Sequence, residues 1–211
     1  GIILRDIGKL KEAEISTRIA IKIKPDAAHM HSNLGLILID LGDLKEAEES
    51  MRLAIDLNSN FVDAKWNLGN ILRDLGKSNE ALDAYLKAIE FNSKSYNDYS
   101  SISRFLRDSD LHKFNKSKLK KVFSILIKKD NITHKDLFKV FNFLYGNLVE
   151  RILNEFDSNF FEGELVDLFI KDKLIIIVLK KIILTDIRIE KLLTNIRKNI
   201  CSRIAKNTNS I

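Results

Sequence analysis

Apolar residues recur along this chain at helical spacing, and the pattern itself recurs every 34 residues. Gly1, Gly35 and Gly69 keep that step, as do Gly8, Gly42 and Gly76, then Ala13, Ala47 and Ala81, and finally Ala20, Ala54 and Ala88. Asp6, Asp40, Asp74 and Asp108 follow the same interval. Each unit predicts two amphipathic helices. In the third, Leu68, Ile71 and Leu72 form an apolar stripe, and Leu75 and Gly76 close the helix, as glycine does just past a helix end. Ser78 is placed to cap the next helix, whose stripe is Ala81, Leu82, Tyr85, Ala88 and Ile89. In the second unit Asp43 and Glu46 have capping-box spacing. The small residues predict close packing, with Gly35 and Gly69 facing Ala47 and Ala81 across each hairpin, where a larger side chain costs ~1–3 kcal/mol.

The period, the N-L-G segments, the Ala and Gly columns and Pro25 resemble the tetratricopeptide repeat over residues 1–93. The resemblance implies an all-α fold, an α-solenoid of about three repeats. The usual Trp of the first helix is replaced by His31 and Lys65, although Trp66 stands one residue on, and Pro25 gives way to Ser59 and Ser93. The first unit starts seven residues into the pattern and the chain lacks an initial Met, so a trimmed N-terminus is expected.

A degenerate fourth repeat is expected over 95–129, with its first helix at about 95–107. Leu106, Arg107 and Asp108 keep the register, but Asp110 replaces the turn Gly and Asn115 the small Ala. Domain boundaries follow: repeats over 1–94, a transition over 95–129, a helical C-terminal domain over 130–206 and a disordered tail at 207–211. Within the third of these, Thr133 and Asp136 have capping-box spacing ahead of the stripe Leu137, Val140, Phe141, Leu144, Leu148, Ile152 and Leu153. Phe138, Phe141, Phe143 and Tyr145 read as core rather than as a base-stacking platform. A short helix is expected over 162–170. The Ile/Val-rich run from Lys173 to Leu184 reads as a buried helix rather than a strand, since nothing else offers a strand partner. A last helix, capped by Thr185 or Asp186, buries Ile189, Leu192, Leu193, Ile196, Ile200 and Ile204. Segments such as THKDLFKVFNFLYGN and LLTNIRKNI are similar to those of large tetratricopeptide proteins of marine cyanobacteria, where they precede a C-terminal modifying domain, often methyltransferase-like. The sequence stops before such a domain is expected.

Composition narrows the function classes. Gly (8) and Pro (1) are scarce among 211 residues, which suits long helices. One cysteine, Cys201, excludes an internal disulfide or a multi-cysteine metal site and fits a reducing, cytoplasmic setting. The longest apolar run, Leu174 to Leu179, is far short of the ~20 residues a membrane span needs. Residues 1–95 carry 13 Lys/Arg against 15 Asp/Glu, and 96–211 carry 22 against 14. The basic half reads first as Lys-rich solvated helix faces and only then as a surface for nucleic acid, with Arg188, Lys191 and Lys198 as its stripe.

No catalytic constellation, glycine-rich phosphate loop or metal motif appears, so no enzyme activity and no cofactor or metal is expected. His29 and His31 are two apart on a helix and point to different sides. What remains is the concave face, which the resemblance assigns to the first helix of each repeat. It implies a groove of His29, Asn33, Leu36, Asp63, Trp66, Asn67, Asn70, Arg73, Arg104 and Arg107. Asn33 and Asn67 form a short ladder, and an amide that donates and accepts can hold a peptide backbone without reading its side chains. Inherited consensus without a ligand is the competing reading of that pair, and ion pairing between repeats that of the Arg/Asp neighbours. A carboxylate clamp is not expected, because Asp63 repels a carboxylate. The leading reading is a non-catalytic scaffold that binds a protein or peptide partner. Its alternative is a substrate-recruiting arm of a methyltransferase or glycosyltransferase, and a basic nucleic-acid-binding module ranks below both.

Overall fold

The computed structural model describes residues 1–90, 96–129, 132, 134–158, 174, 175, 177, 178, 190 and 194. Its elements are α1 (Ile2–Asp6), α2 (Leu10–Ile23), α3 (Ala28–Leu41), α4 (Leu44–Leu57), α5 (Val62–Asp74), α6 (Ser78–Glu90), α7 (Tyr96–Asp108), α8 (Lys116–Leu126) and α9 (Phe138–Ser158). Short 3₁₀ turns occupy Leu111–Lys113 and His134–Leu137. The fold is all-α, and the repeats stack as an α-solenoid of helical hairpins.

Glycine sets each hairpin turn. Gly8, Gly42 and Gly76 have φ of 79°, 86° and 75°, a left-handed conformation that a side chain disfavours. In each turn the next residue's amide reaches back to the leucine carbonyl five residues before it, from Lys9 to Leu4, Asp43 to Leu38 and Lys77 to Leu72, at 2.8–2.9 Å. That bond satisfies a carbonyl that the helix end leaves open. Asp43 caps α4 by accepting from the Glu46 amide at 3.2 Å. The Glu46 side chain does not complete the expected box; it pairs with Arg18 at 2.6 Å. Ser78 is the first residue of α6 rather than its cap.

Packing explains the other small residues, with a correction. Gly35 and Gly69 make their close approaches to Met51 and Tyr85, not to Ala47 and Ala81. A Cβ on Gly35 would stand 2.8 Å from Met51 Cε, and one on Gly69 2.5 Å from Tyr85 Cε1. Gly1 approaches Thr17 in the same way, so glycine on one helix faces the residue 16 positions later in all three units. Ala13, Ala47 and Ala81 are each 0 % exposed and admit no larger side chain.

The fourth hairpin keeps the period in its first helix and loses it in the second. α3, α5 and α7 begin 34 residues apart, but α8 begins at Lys116, four residues later than the step from α6 predicts. Without glycine at Asp110 the chain takes a 3₁₀ turn before the helix. Asn115 is therefore not the successor of Ala81. It caps α8, accepting from the Lys118 amide at 3.1 Å, while Asn79 bonds the Asn115 amide and the Lys113 carbonyl. Leu119, 0 % exposed, takes the alanine's place.

The backbone divides into two units, one of Gly1–Phe105 with His112–Val122 and one of Leu106–Leu111 with Phe123–Ile211. In the first, ion pairs repeat with the fold: Arg18–Glu46 at 2.6 Å and Arg52–Glu80 at 2.8 Å join successive repeats at equivalent positions. Lys118–Asp83 and Lys121–Glu90, both at 2.6 Å, tie α8 to α6. The second unit packs Phe123, Leu126, Ile127, Leu137, Val140 and Phe141, all buried. Phe141 stacks on Tyr145 at 5.4 Å, as core aromatics do. Asp136 pairs with Arg107 at 2.9 Å, and Lys139 donates to the carbonyls of Arg107 and Ser109, which lie at or just past the α7 end. Leu174, Ile175 and Val178 are helical and buried. The expected cap at Thr133, the helix over 162–170, the disordered tail, Cys201 and most of the last helix lie outside the described residues. Among the described residues no helix is long and apolar enough to cross a membrane.

Candidate peptide-binding groove

The first helices of the repeats, α3 and α5, contact each other and carry most of the expected groove residues. Residues 34 apart occupy the same place on each, so Asn33 matches Asn67, His29 matches Asp63, Leu36 matches Asn70 and Ser32 matches Trp66. Asn33 and Asn67 are half-buried, and among the described residues neither side chain has a hydrogen-bond partner. His29 and Asp63 are exposed at the start of their helices, and Leu36 is half-buried.

One groove candidate, Trp66, goes inward instead, as does Ser32 at the equivalent place. Trp66 is 6 % exposed and packs against Tyr85 at 5.4 Å and Tyr99 at 6.4 Å. Its indole Nε1 has no hydrogen-bond partner among the described residues. Ser32, at the same place one repeat earlier, is 4 % exposed and turns to Met51 Sδ. The two columns are coupled. Glycine at 35 and 69 lets Met51 and Tyr85 cross beneath the first helix, and position 32 or 66 closes over them.

Tyr85 stands beside these positions without belonging to the expected groove. Its ring is buried, yet its hydroxyl donates to Asn70 Oδ1 at 2.9 Å. Arg73 Nη1 lies 3.4 Å from the same oxygen and its Nε bonds Asp74 at 2.8 Å. Burial pushes the Tyr85 phenol up to about 12, with Arg73 acting against it. The hydrogen bond to Asp74 raises Arg73 above its ordinary range. Asn70 is thus held from below by a tyrosine and from the side by an arginine. The signal available in the sequence was the pairing of Gly69 with an aromatic 16 residues on.

The basic candidates separate. Arg73 belongs to this network, and Arg104 is exposed on α7 in the same unit. Arg107 lies in the other unit, where it pairs with Asp108 at 2.8 Å and with Asp136, so its guanidinium is committed within that unit. Arg5 pairs with Asp40 across the first two repeats.

Residues 1–60 and 33–96 match the family model described as tetratricopeptide repeat. Among solved structures, YrrB, described as "a TPR protein with an unusual peptide-binding site", aligns with a TM-score of 0.55 and 19 % identity over 84 % of this chain and 87 % of that one. An O-GlcNAc transferase mutant of Thermobaculum terrenum aligns with a TM-score of 0.50 and 20 % identity over 59 % of this chain, which spans only 24 % of that one. At these identities the likeness is one of fold. No curated protein matches significantly. The 34-residue period and the helical hairpins fall within the residues that the family model matches, and residues 1–90 fold as a tetratricopeptide-like α-solenoid.

Proposed function

We propose that this protein is a non-catalytic interaction scaffold whose groove along α3 and α5 holds an extended polypeptide. The observation that carries the reading is the pair Asn33 and Asn67, which occupy equivalent places on contacting helices with their amides unpartnered among the described residues. Packed helix axes lie ~8–10 Å apart, which three residues of extended chain span at ~3.3 Å each. One amide per repeat therefore meets the ligand backbone at every third residue. Leu36 and Asn70 lie one helical turn on, an apolar and a polar contact. YrrB's described peptide-binding site is in keeping with such a use of the fold. The lone cysteine, Cys201, fits a cytoplasmic setting.

The test is selection of displayed peptides on the intact chain, followed by affinity measurement with Asn33→Ala/Asn67→Ala. Each amide contact is worth ~1 kcal/mol, so the double variant is expected to bind about thirtyfold more weakly with its helicity unchanged. Equal affinity for the variant overturns the groove reading.

A further inference from the structure

Asn70 differs from the groove amides Asn33 and Asn67 in one respect: its oxygen is already engaged from within the protein. The Tyr85 hydroxyl lies 2.9 Å and Arg73 Nη1 3.4 Å from Asn70 Oδ1. Arginine only donates, so the atom it approaches is the amide oxygen, and the tyrosine donates to it as well. That fixes which way the side chain points. Its Nδ2 group has no hydrogen-bond partner among the described residues, and it reaches solvent from a half-buried side chain. Asn33 and Asn67 can offer a ligand either end of the amide. Asn70 offers N–H donors and no acceptor.

Its surroundings favour the same kind of ligand atom. Leu36, Asn70 and Arg104 hold the same register position on successive first helices. Trp66 packs edge-on against Tyr99 at 6.4 Å, which brings α5 and α7 together. Arg104 is exposed on α7 and makes no hydrogen bond or ion pair among the described residues. α5 carries two carboxylates. Asp74 is held by Arg73 at 2.8 Å. Asp63 stands seven residues before Asn70, ~10 Å back along the helix. Amide donors and an unpaired guanidinium at successive equivalent places match an anion with two oxygens, and charge-assisted bonds are the stronger kind.

We propose that Asn70 and Arg104 make the groove selective for an aspartate or glutamate side chain of the bound polypeptide, with Tyr85 as the positioning residue that turns the Asn70 donors outward. The selectivity rests on the reading that the groove holds a polypeptide, and adds which residue that polypeptide must carry.

The experiment selects from a random nonapeptide library displayed on phage, with the full chain as target, and scores Asp and Glu at each position. The most enriched sequence is then made with both ends blocked, so that no terminal carboxylate is present, once with its acid and once with the matching amide. One position is expected to be acidic, and the acid form to bind at least about tenfold more tightly than the amide form. Asn70→Asp keeps the oxygen that Tyr85 and Arg73 hold and replaces the donors by an acceptor, so it is expected to erase that ratio. Arg104→Gln is expected to reduce it severalfold, and Tyr85→Phe, which leaves the amide to Arg73 alone, to reduce it less. Lys45→Gln removes an exposed charge from α4 instead, and the ratio is expected to stay. Enriched peptides with no acidic position, an acid preference that survives Asn70→Asp, or one that falls as far in Lys45→Gln, overturn the selectivity and leave the groove reading standing. No enriched peptide at all overturns both.

Discussion

Tyr85 lies so close beneath Gly69 that a Cβ there would stand 2.5 Å from its Cε1 and 2.6 Å from its Cδ1. The ring has nowhere to go. It is 0 % exposed and is flanked by Trp66 at 5.4 Å and Phe105 at 6.1 Å. Gly69→Ala gains ~1 kcal/mol of helix propensity but must displace a locked ring or separate two helices. The net result is a loss of about 1–3 kcal/mol in a urea melt. Gly35→Ala meets the far end of Met51, a flexible chain, at 2.8 Å. Its cost is below about 1 kcal/mol, because thioether rotamers adjust cheaply. Equal costs at the two sites would mean that the hairpins open rather than the facing side chains yielding.

Glu48 gives the repeats an acid-sensitive joint. Its carboxylate is 11 % exposed and takes hydrogen bonds from Lys77 at 2.8 Å and Arg52 at 2.9 Å. Burial pushes its pKa up, but the two cations together outweigh it and hold the group below its ordinary 4.5. Because the folded pKa is depressed, this stabilisation is fully present above the unfolded value and is lost as pH falls through the folded one. The acid limb of stability, below about pH 4.5, should therefore be shallower in Glu48→Gln. At pH 7 the same variant should lose about 1–2 kcal/mol, a figure reduced for the exposure of both partners. Urea midpoints across pH 3–7 measure both effects.

The ion pairs that step between repeats are a different case. Arg52 and Glu80 are each about half exposed, at 47 % and 53 %. A double-mutant cycle with Arg52→Met and Glu80→Gln should give a coupling of only ~0.2–1 kcal/mol, halved or more at 1 M salt. A larger, salt-insensitive coupling would show that the pair fixes the stacking angle of the repeats instead of decorating it.

The hairpins were legible because the chemistry that ends a helix is local. A glycine at 8, 42 or 76 can take φ near +80°, and the apolar stripes on either side point the helices at each other. The fourth unit departs from the 34-residue count for the same reason. With Asp110 in place of glycine, the turn lengthens by four residues, and counting by 34 lands on Asn115 when Leu119 is the packed residue. The equivalent, half-buried places of Asn33 and Asn67 on their helices follow from register alone. The burial of Trp66 does not, because it depends on what lies beneath, and there Gly69 admits a tyrosine. Lys65 was visible as a departure from the repeat, but its burial needed the neighbouring helices.

Tyr85→Phe isolates the polar half of that tyrosine. The variant keeps the ring beneath Gly69 and removes only the hydroxyl that donates to Asn70 at 2.9 Å. Asn70 Oδ1 retains Arg73 as a neighbour, so the loss at pH 7 should be modest, about 0.5–1.5 kcal/mol. The alkaline side is more telling. The phenol's folded pKa is raised from 10.0 to about 12, chiefly by burial, so the folded state holds its proton more tightly than the unfolded chain does. Its share of stability is intact below pH 10 and is lost as pH rises toward 12. Stability of the natural chain should fall across that window, and the fall should be shallower in Tyr85→Phe. Absorbance at the phenolate band, followed during a pH titration, should show one tyrosine fewer among those titrating latest. If the alkaline limb is the same in both proteins, the Tyr85 hydroxyl titrates freely, and Asn70 is not held by a buried tyrosine.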